Sequence, residues 1–497
     1  MSTNKHAIVI GAGAGGLAAA SDLARAGIDV TVLERASRAG GKMRQIEVAG
    51  HRIDAGPTVF TMRWVFESLF RDAGFELDET LPLQKADTLA RHWWTTGAQL
   101  DLHVDIEETA RGIEAFSGCA DAEGYKRLCA DSAAIFDTLR DTFMAAPRPS
   151  PISLARRVGL TRIHELIKLR PHKTLWNSLE GYFQDPRLRQ LFGRYATYVG
   201  SSPLLTPATL MLITHAEQTG VWVLPDGMSS LASAVQGVAE HNGASFHFDT
   251  EVAGITTHLG RTSGVKLTTG EHLPADAVIF NGDQNALACG VLGDDVADAT
   301  RKSHPDRRGL SAVTWCLMAD TRDFPLNYHN VFFDQNYPEE FNAIFSRQCL
   351  PVRPTVYICA QDRLGDQQPN GPERLLVLIN APANGDSKDW REEDIRLAAS
   401  NAEHVLSACG LTLDLSGRDA HACHPSEFNK LFPGSGGSLY GRASHGALSS
   451  FTRPATRTKR PGLYLAGGSV HPGPGVPMAT LSGRLAAHVA LQDMGIG

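Results

Sequence analysis

Two short apolar runs open the chain, Ala7 to Ile10 and Val30 to Leu33, and a third, Leu463 to Ala466, lies near its other end. Each is too short for a helix and has the near-continuous apolarity of a strand buried on both faces, broken only by Thr31. Between the first two, Leu17, Ala20, Leu23 and Ala24 fall on one stripe of helical period, which predicts a helix from Gly16 to Ala26 ended by Gly27. Beyond the third run, Val476-Pro477 starts an Ala/Leu-rich helix towards Val489, proline being tolerated in a first turn. In the interior, Trp93-Trp94 through Leu102 read as strands. Residues 105 to 215 read as largely helical, broken once at Pro147, Pro149 and Pro151. A helix opening at Gly227 stops at Asn242-Gly243, and Ala277 to Asn281, Ala312 to Met318 and Leu375 to Asn380 read as further strands.

The turn after the first strand carries chemistry. Gly11 lets the backbone bend sharply, Gly13 with Ala12 and Gly15 lets it approach a pyrophosphate, and Gly16 lets helix and strand pack closely, with phosphate on the unsatisfied helix amides. The second strand ends at Glu34, 18 residues past Gly16, where a carboxylate accepts hydrogen bonds from ribose hydroxyls and repels a 2′-phosphate. NAD and FAD both fit this much. A chain that begins and ends in one dinucleotide fold has its second domain inserted between.

The sequence after Glu34, Arg35-Ala-Ser-Arg-Ala-Gly40-Gly41-Lys42-Met43-Arg44, the turn Asp54-Ala-Gly56-Pro57-Thr58 and the C-terminal Gly462-Leu-Tyr-Leu-Ala-Gly467-Gly468 together resemble the FAD-dependent carotenoid desaturases, the bacterial phytoene-desaturase family. The resemblance spans nearly the whole chain. Asp54 to Glu67, with Arg194-Tyr195-Ala-Thr-Tyr198-Val-Gly200-Ser-Ser-Pro203, is most similar to the 1-hydroxycarotenoid 3,4-desaturases, also called methoxyneurosporene dehydrogenases, of spheroidene-type pathways in purple photosynthetic bacteria. Val470 and Pro474 depart from the smaller or hydroxylated residues of the family's signature.

The resemblance implies an α/β fold: a Rossmann-type FAD-binding domain, glutathione-reductase-like, with an inserted α+β substrate domain. It divides the chain into 1–80, 216–295 and 430–497 for FAD, and 81–215 and 296–429 for a substrate and membrane-facing domain. It adds Arg35, Gly41, Lys42, Met43, Gly56, Pro57, Thr58, Val252 at the adenine side and Asn281 beneath the cofactor to the glycines and Glu34. Gly467 and Gly468 would let backbone approach the ribityl-phosphate arm. The helix from Val476 and Pro477 would point its positive end at the flavin and stabilise the reduced ring. The implied reaction removes two hydrogens from a C–C bond beside a polyene, most simply C-3,4 of a 1-hydroxy- or 1-methoxy-carotenoid. Hydride passes to the flavin, and a proton leaves from a cation spread along the polyene.

Such chemistry asks for an apolar tunnel, for which Tyr195, Tyr198 and Trp222 are candidates, and for a polar partner to a buried hydroxyl. His215 and Glu217 are candidates for that partner or for proton acceptance. Phytoene desaturation is the close alternative. A carotene isomerase and a flavin amine oxidase share parts of the glycine framework, although neither a covalent-flavin Cys nor an aromatic cage is legible. A non-catalytic carotenoid-binding protein would not need the intact glycines and Glu34. No motif marks the electron acceptor, oxygen or a quinone.

Composition narrows the class further. At 497 residues two intertwined domains are the simplest division, and a net charge of −7 gives no reason to expect nucleic acid. No run of 18 apolar residues exists to span a bilayer, and the first strand begins too near Met1 for a signal peptide, which predicts a cytoplasmic protein. Eight cysteines without C-x-x-C spacing predict reduced thiols, and His421-Ala-Cys423-His424 lacks a second ligand pair, so no metal is expected. From Arg148 to Lys173 seven Lys/Arg stand against the single acid Glu165, interleaved with Ile152, Leu154, Val158, Leu160, Ile163, Leu166, Ile167 and Leu169. This predicts a basic amphipathic helix that docks peripherally on the inner or photosynthetic membrane, where a C40 carotenoid resides.

Overall fold

The computed structural model describes residues 5–159, 165–166, 169–365 and 368–496. Strand β1 (His6–Ile10) runs into helix α1 (Ala14–Arg25), and β2 (Asp29–Leu33) returns parallel to β1, Ile10 opposite Leu33. Far along the chain, helix α2 (Met228–His241) delivers β3 (Ala244–His247) to the outer edge of β2, and β4 (Ala277–Phe280) pairs with the other side of β1. Strand β5 (Leu463–Leu465) completes the sheet beside β4 and leads to helix α3 (Val476–Asp493). The order is β5-β4-β1-β2-β3, all parallel.

Helix α1 packs against both α2 and α3. Small residues make this possible: Ala18, Ala19 and Ala20 are fully buried, and a Cβ on Gly483 would lie 1.9 Å from the Gly15 carbonyl oxygen. The start of α2 is held by Asp54, whose Oδ2 accepts from the Met228 amide at 2.6 Å; burial raises the pKa of this carboxyl. A three-stranded antiparallel sheet, Val252–His258, Arg261–Leu267 and His272–Pro274, lies against the parallel one, with Val252 packed in a core that includes Ile8 and Leu33.

The second large sheet has seven strands in the order Ala420–Cys423, Ser311–Ala319, Glu373–Ala381, Val356–Ala360, His329–Phe333, Thr88–Trp94, Gln99–His103. Strand period divides its two faces. Leu375, Val377 and Ile379 pack beneath helix Glu392–Ala408 through Ala398, Ala402 and Val405, whereas Leu376, Leu378 and Asn380 turn to the other side and line a cavity.

Helices between Ile106 and Gln218 roof that cavity, and here one expectation is corrected. The basic stretch 148–173 is not one continuous helix. Its described helix runs over Pro151–Val158, capped by Ser150, and stops at Gly159 with φ +83°; 160–164 and 167–168 lie outside the described residues. Its apolar stripe is already used by the protein: Leu154 and Val158 are buried, and Leu154, Leu166 and Leu169 line the cavity. Several cations are engaged as well. Arg148 donates to the Arg453 carbonyl at 2.9 Å, Arg157 to those of Thr142 and Pro147, and Arg170 pairs with Asp131.

Candidate flavin and substrate site

The glycine turn is braced from the end of β2. Gly11 takes φ +95° and donates to the Leu33 carbonyl at 2.8 Å. Glu34, 9% exposed, accepts from the Ala12 amide at 2.7 Å through Oε2 and from the Ala36 amide at 2.9 Å through Oε1. Asn281, just past β4, donates Nδ2 to the Gly11 carbonyl at 3.1 Å. A Cβ on Gly15 would sit 2.7 Å from Asn281 Oδ1, 2.9 Å from the Ala479 carbonyl oxygen and 2.9 Å from the Gly467 amide nitrogen. Three distant stretches of sequence therefore close on one turn.

Helix α1 starts at Gly13 and α3 at Gly475 with no side chain capping either. Uncapped first-turn amides beside a buried carboxylate suit the pyrophosphate and ribose of a dinucleotide, and the start of α3 suits an electron-rich ring. Gly41, at φ +58°, closes over this turn: a Cβ there would lie 3.1 Å from Gly13 Cα. Lys42 donates Nζ to the Leu439 carbonyl at 2.7 Å and stands 5.1 Å over the Phe432 ring; burial lowers its pKa against the pull of Asp283. Arg35 donates to the Lys430 and Leu431 carbonyls. Both cations tie the 430–439 segment across the N-terminal half of the site. Met43 is buried in the main apolar core.

A cavity of about 540 Å³ begins where α3 begins. Gly475, Val476, Pro477 and Met478 line one side of it, next to Gly56, Pro57 and Thr58. Its body is hydrocarbon, with Leu139, Phe143, Leu154, Leu169, Leu210 and Ile213 on the helical side. Its wall also has a polar part, Arg194, Tyr198, Tyr337, Tyr357 and Asn380, and Arg453, Tyr440 and Ser444 line it as well. The Tyr357 hydroxyl shares a 2.6 Å hydrogen bond with Thr58 Oγ1, which joins the polar part to the Gly56–Thr58 strip.

Arg194 is 5% exposed and organises the polar part. It donates Nη1 to the Tyr198 hydroxyl at 2.9 Å, and its guanidinium stands 5.3 Å and 5.2 Å from the ring centroids of Tyr195 and Tyr198. Both tyrosine hydroxyls donate to buried Glu217, Tyr198 at 2.6 Å. Burial first, and the Glu217 charge with it, raises the pKa of both phenols, so they stay protonated donors. A second buried carboxylate, Glu340, accepts from Thr355 and Asn380 behind the wall.

The family of flavin containing amine oxidoreductases matches residues 14–491. The chain belongs to that family. It is 46% identical to a hydroxyneurosporene desaturase of Rubrivivax gelatinosus over 98% of this chain and 93% of that one. It is 44% identical to a hydroxyneurosporene desaturase of Cereibacter sphaeroides over 98% and 97%, and 31% identical to a 1-hydroxycarotenoid 3,4-desaturase of a Flavobacterium species over 97% and 98%. In fold it is similar to an oxidoreductase from Methanosarcina mazei, with a TM-score of 0.60 at 17% identity over 97% of this chain and 99% of that one. It is likewise similar to the cyclohexylamine oxidase of Brevibacterium oxydans, with a TM-score of 0.59 at 15% identity over 99% and 100%. This flavoenzyme therefore sits among the carotenoid desaturases of the family, and FAD is its cofactor.

Of the aromatic residues expected to line a tunnel in this flavoenzyme, Tyr198 reaches the cavity and two do not. Tyr195 stands behind Tyr198, spent on Glu217. Trp222 is drawn away because strand Trp222–Val223 pairs with Gln84–Lys85; its ring packs edge-on to Phe60 with Arg63 above it. Neither polar candidate lines the cavity. His215 packs 5.1 Å from Phe136, and Glu217 is screened by the two tyrosines it accepts from. Among the polar groups that do line it, Arg194, Tyr337 and Asn380 come from separate segments. Only an arginine embedded in the aromatic run 194–198 could have signalled this.

Proposed function

We propose that this chain desaturates the C-3,4 bond of an acyclic carotenoid carrying oxygen on C1, with FAD held by the two glycine-rich ends of the chain. The observation that carries the reading is a cavity, largely apolar with a polar part around Arg194, that is lined by the start of α3 and the Gly56–Thr58 strip. The names borne by full-length relatives at 44–46% identity support the same substrate class.

Bound between α1, Glu34 and the start of α3, FAD supplies a two-electron acceptor for hydride. The chain's residues do the rest. Leu139, Phe143, Leu154 and Ile213 hold the hydrocarbon and exclude water, and the helix start at Val476 stabilises negative charge facing it. The two buried carboxylates stand behind Tyr198 and Asn380 rather than on the wall, so the cation left by hydride loss meets no carboxylate nucleophile.

Substrate entry is part of this reading. Ile152 is 69% exposed and Leu448 59%, and Pro151 and Leu448 both line the cavity. This apolar rim, flanked by the arginines of 148–157, docks the protein on a bilayer from which the carotenoid enters. Among the described residues no helix is long and apolar enough to cross a membrane.

The test is product analysis with FAD-loaded protein and liposomes holding 1-hydroxyneurosporene, neurosporene or phytoene in separate reactions, in air and with an added quinone. One new double bond in the hydroxylated carotenoid alone is expected. Conversion of phytoene would replace the 3,4 reading with early-pathway desaturation, and no conversion by flavin-loaded protein would overturn it.

A further inference from the structure

The polar part of the cavity holds donors that nothing in the protein uses. Among the described residues, Arg194 Nε and Nη2 and the Tyr337 hydroxyl are buried without a hydrogen-bond partner, and both side chains line the cavity. Buried donors are rarely left unmade, because each loses its water without replacement. The charge itself is compensated. The rings of Tyr195 and Tyr198 flank the guanidinium, and Glu217 receives both of their hydroxyls, so a cation, two phenols and a carboxylate form one buried unit. What remains unsatisfied is one side of the guanidinium fork and a neighbouring phenol.

We propose that Arg194, with Tyr337 beside it, binds the C1 oxygen of the substrate and so sets which C–C bond reaches the flavin. This rests on the function proposed above. Position supports it. Tyr357, in electrostatic reach of Tyr198, hydrogen-bonds Thr58, which lines the same cavity as the first turn of α3. In the proposed pose an oxygen anchored at Arg194 leaves the next carbons, C3 and C4, towards the Gly56–Thr58 strip, with the polyene along the apolar part of the cavity. Chemistry sharpens the assignment. A guanidinium has donors and no acceptor, so it takes a hydroxyl or a methyl-ether oxygen alike and has nothing to offer a hydrocarbon end group. The site selects for oxygen and does not select hydroxyl over ether.

The test reads binding as well as turnover, in the FAD-loaded full chain. Phosphatidylcholine vesicles are loaded with 1-hydroxyneurosporene, its 1-methyl ether or neurosporene, and the carotenoid retained by the protein is measured from its visible band. The wild type is expected to retain the two oxygenated compounds roughly ten- to hundredfold better than the hydrocarbon, the worth of a hydrogen bond to a charged donor. Arg194→Met should reduce that ratio to near one while neurosporene binding is unchanged, and Tyr337→Phe should lower it several-fold. Equal binding by the wild type, or an undiminished ratio in Arg194→Met, overturns the assignment. Should Arg194→Met fail to fold or to hold flavin, Arg194→Lys decides, since it keeps the charge beside Tyr198 and withdraws the fork; an unchanged ratio there also overturns it. A wild type that binds with the preference but never desaturates leaves the oxygen site standing and removes the proposed function.

Discussion

Glu34 closes the glycine turn through the Ala12 and Ala36 amides, and we propose that its remaining lone pairs accept from a ribose. Glu34→Ala is expected to weaken FAD retention through gel filtration and to lower stability by about 1.5–3 kcal/mol for a lost charged hydrogen bond. Unchanged retention would remove Glu34 from the ribose role. Gly15→Ala presses a methyl against Asn281, Gly467 and Ala479 and should cost about 1–3 kcal/mol with loss of flavin. Burial holds several histidines neutral, among them His329, pulled down to about 3, and His445 and His471, pulled to about 4. Below about pH 6.5 the unfolded chain binds protons that the native one refuses until pH 3–4, so stability falls as pH drops through that window. The slope is up to about 1.4 kcal/mol per pH unit for each histidine, and urea midpoints at pH 7 and pH 5 would show it. At this scale the glycines and Glu34 were legible in sequence, because turn chemistry is local. Arg194 was legible only as part of a motif, because its partners lie elsewhere in the chain.

Among the elements, the short helix Pro151–Val158 shows what periodicity can and cannot say. Its apolar and basic faces follow from spacing. Its end does not, since a glycine at φ +83° stops it where the charge pattern continues. The structure turns Leu154, 4% exposed, inward, and leaves Ile152 outside. Leu154→Ala is therefore expected to cost about 2–5 kcal/mol in thermal melts, and Ile152→Ala to change stability by less than about 0.5 kcal/mol. Equal effects would mean the helix is rotated. In the seven-stranded sheet the strands at 312–318 and 375–380 were readable as apolar runs, but which alternate positions face helix Glu392–Ala408 and which face the cavity became visible only once the sheet had neighbours on both sides.

For the whole molecule, we propose that the exposed rim beside the cavity couples fold to location. Replacing Ile152 and Leu448 together by glutamate should reduce co-sedimentation with anionic vesicles several-fold while the flavin spectrum and melting temperature are unchanged. Co-sedimentation equal to the wild type would place the docking surface elsewhere. The sequence by itself determined the two glycine-rich ends and their place in one parallel sheet. Short buried strands, glycine turns and an acid at a strand end act over a few residues and need little else. Only the tertiary structure decided the cavity. Its start at α3, its hydrocarbon wall and its polar part around Arg194 come from segments hundreds of residues apart, and the partner of a buried donor is set by packing, which no local pattern encodes.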